Sequence, residues 1–258
     1  MFELPEIPAG AIDNHCHLGP YSRFFQPGNT AEGLVRTLDR VGIGQACVFS
    51  TLSITLDVHA GNDLSLSAAH AFPDRLRAYL SIDPHRTQHE IEAELDRCLQ
   101  AGARGIKLHT QLADHPFDGP GYAPALAFAD AHRLPLISHG VGTPDTLRRI
   151  ARAHPGAHLI VAHAGAGGSS TRDLEGGVYQ VAREEPNVYL DTTSSVGHFG
   201  VFSAVVGAVG AGKLVYGSDM PWMCASHQVG RVLYAPISAE DRRLVFGGTM
   251  ARLLGTRR

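Results

Sequence analysis

Short apolar or β-branched runs recur along the chain, and most are followed by a stretch with helical spacing. The runs cover residues 11–17, 45–50, 77–83, 105–109, 134–139, 158–163, 188–192 and 214–219. They end on His17, Ser50, Asp83, His109, His139, His163, Thr192 and Asp219, spaced by roughly 24–33 residues, the size of one strand–helix unit. Between them the helix signals are specific. Thr30 is placed to cap a helix with Leu34, Leu38 and Val41 on one face. Thr87 and Glu90 form a capping box ahead of Ile91, Leu95 and Leu99, and Gly102 stops that helix. Thr143, Pro144 and Asp145 supply a cap, a first-turn proline and a first-turn acid. Phe199, Phe202, Val206 and Val209 repeat at helical spacing, and Ser238 with Asp241 opens a last helix.

Eight such units predict an α/β protein, a (β/α)8 TIM barrel, for which about 250 residues is typical. No composition break or long linker divides the 258 residues, so residues 1–258 are expected to form one domain. An open doubly wound sheet is the rival. It lacks support, because no glycine-rich dinucleotide or phosphate fingerprint follows the first strand. The glycine tract at 165–168 comes after the sixth strand, without a lysine partner, and is a weak phosphate loop.

Composition narrows the function. Hydrophobic residues make up 44% and charged residues 18%, which fits a globular core. The net charge of -3 leaves no basic footprint for nucleic acid or an anionic membrane. No apolar run is long enough to span a bilayer, and the first ten residues resemble neither a signal nor a transit peptide. With four scattered cysteines and no CxxC pair, a cytoplasmic protein with free thiols is expected. Histidine stands out, with 15 copies. Imidazole is the commonest metal ligand and the usual acid–base group near neutral pH.

Position gives that count its meaning. Alternate residues of a strand share a face, so His15 and His17 point one way and Cys16 the other. In a parallel barrel all strand C-terminal ends open on one rim, where catalytic groups sit. Strand ends one, four, five, six and eight bring His15 and His17, Lys107 and His109, His139, His163, and Asp219 to that rim. Neutral imidazoles plus a carboxylate suit a divalent first-row ion with one position open for water. Each residue also has a plainer reading: His15 and His17 as core residues, Asp219 as a turn cap, Lys107 as a buried cation paired to Asp219 or Asp191. His109 reads as a pocket wall. His85, His198 and His227 follow strand ends, and Arg23 and Arg172 lie on rim loops, where an arginine can clamp a carboxylate.

The segments AIDNHCHLGP, RGIKLHTQ, LISHG, VAHAGAG, VYLDTTS and YGSDMPW, in that order, resemble the amidohydrolase superfamily. The likeness is to its amidohydrolase-related branch, which includes aminocarboxymuconate-semialdehyde decarboxylase-like proteins. It runs from Ile12 to the C-terminal FGGTMARLLG. The resemblance implies a distorted (β/α)8 barrel holding one divalent metal, zinc first, with Mn2+ or Fe2+ as alternatives. It implies His15, His17, His139 and Asp219 as ligands, His163 as the group orienting water or substrate, and Asp219 as the proton acceptor. Lys107 stands where binuclear members carry a carboxylated lysine, so a second metal is the lesser alternative. Thr249 departs from an asparagine common in the family. Arg23, His109 and Trp222 are the substrate-binding candidates.

Two enzyme classes share such a ligand set. The first reading is metal-assisted hydrolysis of an amide, lactone or ester of a small molecule, with catalytic Asp219, His163 and Lys107. The alternative is non-oxidative decarboxylation of an aromatic or unsaturated acid. A non-catalytic metal-binding barrel is the third reading, and the intact ligand set opposes it. The expected partner is a small molecule, and a homodimer is a family-level expectation.

Overall fold

The computed structural model describes residues 5–21, 23, 25–26, 28–163, 174–194 and 200–255. Eight strands pair in sequence order, all parallel: β1 (Ile12–Leu18), β2 (Gln45–Ser50), β3 (Leu76–Leu80), β4 (Gly105–His109), β5 (Pro135–His139), β6 (His158–Val161), β7 (Val188–Asp191) and β8 (Leu214–Val215). Helices alternate with them: α1 (Ala31–Val41), α2 (Val58–Ala71), α3 (Gln88–Gln100), α4 (Ala123–His132), α5 (Pro144–Ala153), α6 (Gly177–Glu184), α7 (Val201–Val209) and α8 (Ala225–Leu233). Two short helices follow, α9 (Ala239–Arg243) and α10 (Thr249–Leu253). The molecule is a (β/α)8 TIM barrel.

The local signals act as their residue types require. Thr30, Thr143 and Ser238 accept the backbone N–H three residues on, and Thr87 with Glu90 forms the reciprocal capping box. The helix expected around Phe199 begins at Val201. Phe199 itself, His198, Arg172 and the glycine tract at 165–168 lie outside the described residues. All four cysteines are free thiols.

Two apolar layers result from strand alternation. One lies between strands and helices and takes Cys16, Val48, Leu108, Leu136 and Leu190 with the inner faces of the helices. The other fills the barrel with Ile12, Cys47, Phe49, Tyr79, Ile137, Ile160, Tyr189 and Val215. Tyr79 fits inside because Gly105 faces it: a Cβ there would stand 2.4 Å from its ring. Met250, Ala251 and Leu253 of α10 join the inner layer and form its floor.

Strands three, six and eight are shorter than the apolar runs predict, and strand eight shows why. Past Val215 the backbone leaves the ladder and its donors turn to side chains. Gly217 N–H donates to Thr192 Oγ1 (3.1 Å) and Ser218 N–H to Asp13 Oδ1 (3.0 Å). The cylinder then closes against β1: Asn14 N–H donates to Tyr216 O, Asp219 N–H to His15 O and His17 N–H to Met220 O, each at 2.8 Å. On β1 the register against β2 shifts between Asp13 and Cys16, so the strand carries an irregularity just where His15 begins the polar end.

Candidate active site

The polar ends of β1, β4, β5, β6, β7 and β8 meet at one mouth of the barrel. His15 and His17 are buried, with Cys16 turned outward as alternation demands. Asp219 comes to them from beyond β8. Its Oδ1 lies 2.8 Å from His17 Nε2 and 3.3 Å from His15 Nε2. His163 stands two residues past β6. Asp219 and His163 both have φ of 60°, in the left-handed region that non-glycine residues seldom occupy. Those turns aim the two side chains across the mouth: His15, His163 and Asp219 each offer a donor atom, all within 4.8 Å of one another.

The rest of the predicted set surrounds this group. His139 packs on His163 with ring centroids 4.7 Å apart, and on His109 at 4.2 Å, its register partner across β4 and β5. The buried ammonium of Lys107 lies 3.1 Å from His15 Nε2 and 4.5 Å above the Phe49 ring. Trp222 stacks on His17 at 3.9 Å with planes 13° apart, and Tyr21 stacks on Trp222. Arg23 lies exposed on the loop after β1, and His227 is exposed on α8.

Sequence reasoning passed over two participants. Phe49 is a floor beneath both His15 and His17, with centroids 5.4 and 4.5 Å away. Its signal was available, since it shares the inward face of β2 with Cys47. Asp191, weighed only as a partner for Lys107, also lies 2.7 Å from His15 Nδ1 through its Oδ2. That pairing spans 176 residues, and no local spacing announces it.

Burial sets the charge state. It lowers His15 and His17 below the usual imidazole range, takes His139 down to about 4, and takes His109 down to about 2. The neighbouring Lys107 ammonium adds to each of these shifts. All four imidazoles are therefore neutral near pH 7, the form that donates a lone pair to a metal. Burial also lowers Lys107 to about 8, against the pull of Asp219 and Asp191. For Asp219, burial acts to raise the carboxyl, but His15 and His17 outweigh it and hold it well below the carboxylate range.

This donor set fits a divalent ion. Nitrogen and oxygen ligands sit at about 2.0–2.2 Å from zinc, so two of them lie up to about 4.4 Å apart. The His15, His163 and Asp219 donors approach that spacing. A carboxylate among neutral imidazoles matches zinc, manganese or iron chemistry.

Beside this centre a cavity of about 680 Å3 opens under the loops after β2, β3 and β4. Lys107, His109 and Tyr122 line it together with Ser53, Ile54 and Ile82. His85 is also on its wall, its Nε2 2.6 Å from Ala113 O. His109 Nδ1 accepts from Leu112 N–H at 3.2 Å, which leaves Nε2 as the ring's proton-bearing nitrogen.

Comparison with known proteins agrees with this architecture. An uncharacterised TIM-barrel protein from Bordetella bronchiseptica superposes with a TM-score of 0.76 at 18% identity, covering 96% of this chain and 99% of its own. A 2,6-dihydroxybenzoate decarboxylase from Rhizobium gives 0.71 at 15%, covering 95% and 98%. A 5-carboxyvanillate decarboxylase from Novosphingobium aromaticivorans, solved with manganese, gives 0.75 at 15%, covering 95% and 96%. At such identities the likeness establishes the fold. No curated protein matches the sequence. Among the described residues, no helix is long and apolar enough to cross a membrane. The amidohydrolase family model matches residues 52–256. That span covers every strand but the first two, and with the histidine-lined mouth it places the chain in the amidohydrolase family.

Proposed function

We propose that this amidohydrolase-family protein is a metal-dependent, non-oxidative decarboxylase of a small aromatic or unsaturated carboxylic acid. The observation that carries this reading is Lys107: a buried cation on the cavity wall, 3.1 Å from His15 Nε2 and facing Phe49. It can receive a substrate carboxylate at the edge of the metal centre by a charge-assisted hydrogen bond. The cavity volume is in the range of small-molecule sites, and its wall mixes apolar Ile54, Ile82 and Leu112 with polar Ser53 and Ser81. The solved decarboxylases of the same fold support the reading.

His15, His17, His139 and Asp219 would hold the ion, with His163 in reach of the same group. When bound, the metal supplies Lewis-acid stabilisation of negative charge on substrate oxygens. The chain's own part follows from its charges. Lys107 holds the carboxylate, and His109 offers its Nε2 proton to a neighbouring polar group of the substrate. The stacked Trp222 and Tyr21 keep water from the His17 side. Asp219, ionised at rest, takes a proton on its carboxylate and delivers it to the carbon that bears the carboxylate. The carbon–carbon bond then breaks and its electrons return to the ring or alkene, so that R–COO⁻ plus H⁺ becomes R–H plus CO2.

The ionised Asp219 also favours a second reading, hydrolysis of an amide, lactone or ester, in which it accepts a proton from attacking water. Incubation of the manganese- or zinc-loaded protein with hydroxybenzoates in D2O separates the two. Decarboxylation releases CO2 and leaves one deuteron at the vacated carbon. No CO2 from such acids, together with uptake of 18O from labelled water into a cleaved ester or lactone, overturns the proposal in favour of hydrolysis.

A further inference from the structure

We infer that Asp191 is a positioning residue: it fixes His15 in the tautomer that carries its proton on Nδ1, so that Nε2 presents a lone pair to the centre of the site. The two sides of the imidazole demand this independently. Nδ1 lies 2.7 Å from Asp191 Oδ2, an oxygen that can only accept while the carboxylate is ionised. Nε2 lies 3.1 Å from Lys107 Nζ, which as an ammonium can only donate. Asp219 Oδ1 also lies 3.3 Å from Nε2, farther than Lys107, and it is engaged by His17 Nε2 at 2.8 Å. With Asp191 and Lys107 as its hydrogen-bond partners, a neutral imidazole satisfies both in one tautomer alone, with the proton on Nδ1.

The carboxylate is itself locked. Oδ1 accepts from Thr193 N–H at 3.1 Å and lies 3.0 Å from Thr193 Oγ1. Oδ2 faces His163 N–H at 3.4 Å as well as His15. Gly217 closes the remaining side, where a Cβ would stand 2.0 Å from Oδ1. The backbone N–H groups of Thr193 and His163 and the His15 Nδ1–H thus all point at acceptors, and Asp191 is completely buried. An Asn in its place keeps the shape but must set an amide NH2 against one of these donors. Thr193 N–H holds the carbonyl on the Oδ1 side. The NH2 therefore falls against His15 Nδ1, which can answer only by becoming the acceptor. His15 then moves its proton to Nε2, and the lone pair is withdrawn from the site. Outer partners that orient a ligating histidine in this way typically change metal affinity by about 10–100-fold.

The test is long-range 1H–15N NMR of histidine-labelled, metal-free protein, with the His15 ring assigned by loss of its signals in His15→Gln. The expected wild-type pattern has the proton on Nδ1. Asp191→Asn moves it to Nε2, and manganese or zinc affinity, measured by chelator competition, falls about 10–100-fold while far-UV circular dichroism is unchanged. Thr193→Val, which removes the hydroxyl but keeps the N–H, retains the wild-type tautomer. A proton on Nε2 in the wild type overturns the inference, and that measurement needs no variant to fold. An unchanged tautomer in Asp191→Asn overturns it as well. The readout uses neither turnover nor substrate, so it fails separately from the proposed decarboxylation.

Discussion

Along β4 and β5 the strands run in register to their polar ends, where His109 and His139 face each other as neighbouring rungs. Between β7, β8 and β1 the regular ladder gives way, and side chains take over some of the backbone's hydrogen bonds. Asp13 Oδ1 alone accepts from both His15 N–H and Ser218 N–H, each at 3.0 Å. Asp219 is turned into the left-handed region, as is His163 beyond β6. The regular side holds the cavity and the buried cation Lys107. The irregular side holds most of the candidate metal-ligating atoms. On the regular side a substitution removes one group. On the irregular side each acceptor serves several donors, so one substitution disturbs several groups together.

The comparison can be broken at its strongest point first. Asp219→Asn should lower turnover by about 10²–10⁴-fold, the usual worth of a positioned acid or base. Initial rates beside metal content measure it, and full activity would remove the irregular side from the chemistry. On the regular side, Lys107→Met should raise KM about 10–100-fold with a smaller change in kcat, as expected for loss of one charge-assisted hydrogen bond. An unaltered KM would take Lys107 out of substrate binding. Gly217→Ala tests shared acceptors without removing a polar atom. Its new Cβ would lie 2.0 Å from Asp191 Oδ1 and 2.7 Å from Thr193 Oγ1, so a destabilisation of about 1–3 kcal/mol is expected by thermal melting. Gly207 on α7 has nothing within 4 Å of the same position, and Gly207→Ala should leave stability equal or slightly raised.

The last test concerns stability rather than turnover. Glu94 on α3 receives hydrogen bonds from Arg97, Asn62 and the thiol of Cys98 and lies against His59. Burial works to raise its carboxyl, but these partners outweigh it and bring it to about 2, from 4.5. A lowered acid stabilises the fold above its unfolded value and loses that contribution as pH falls. The gain of wild type over Glu94→Gln should thus be about 1–2 kcal/mol at neutral pH, allowing for solvent screening, and should fade between pH 4.5 and about 2. Urea midpoints across that range measure it, and a gap that persists at the acid end would assign the effect to packing.

Legibility in the sequence followed the same division. Strand alternation placed His15 and His17 inward and Cys16 outward, and capping residues located α1, α3, α5 and α9. The helix α2 escaped because its buried face carries Gly61, Asn62 and Ser65, which give no apolar stripe. The helix α4 escaped because apolar residues surround it on every side. Asp219 and His163 are strand ends in the sequence pattern, whereas the structure places both in turns beyond β8 and β6. The turn that carries Asp219 depends on acceptors from Asp13 and Thr192, distant in sequence and invisible to any local pattern. The His15–Asp191 contact was hidden for the same reason.

The helical segment Met250–Leu253 seals the inner layer at the end of the barrel opposite the histidines. Among the described residues, a vessel stoppered at its base opens only at the histidine end. Whatever enters and whatever leaves must share that passage, so spent product obstructs the next arrival until it has gone. Competitive inhibition by product is the kinetic mark such a dead-end chamber should leave.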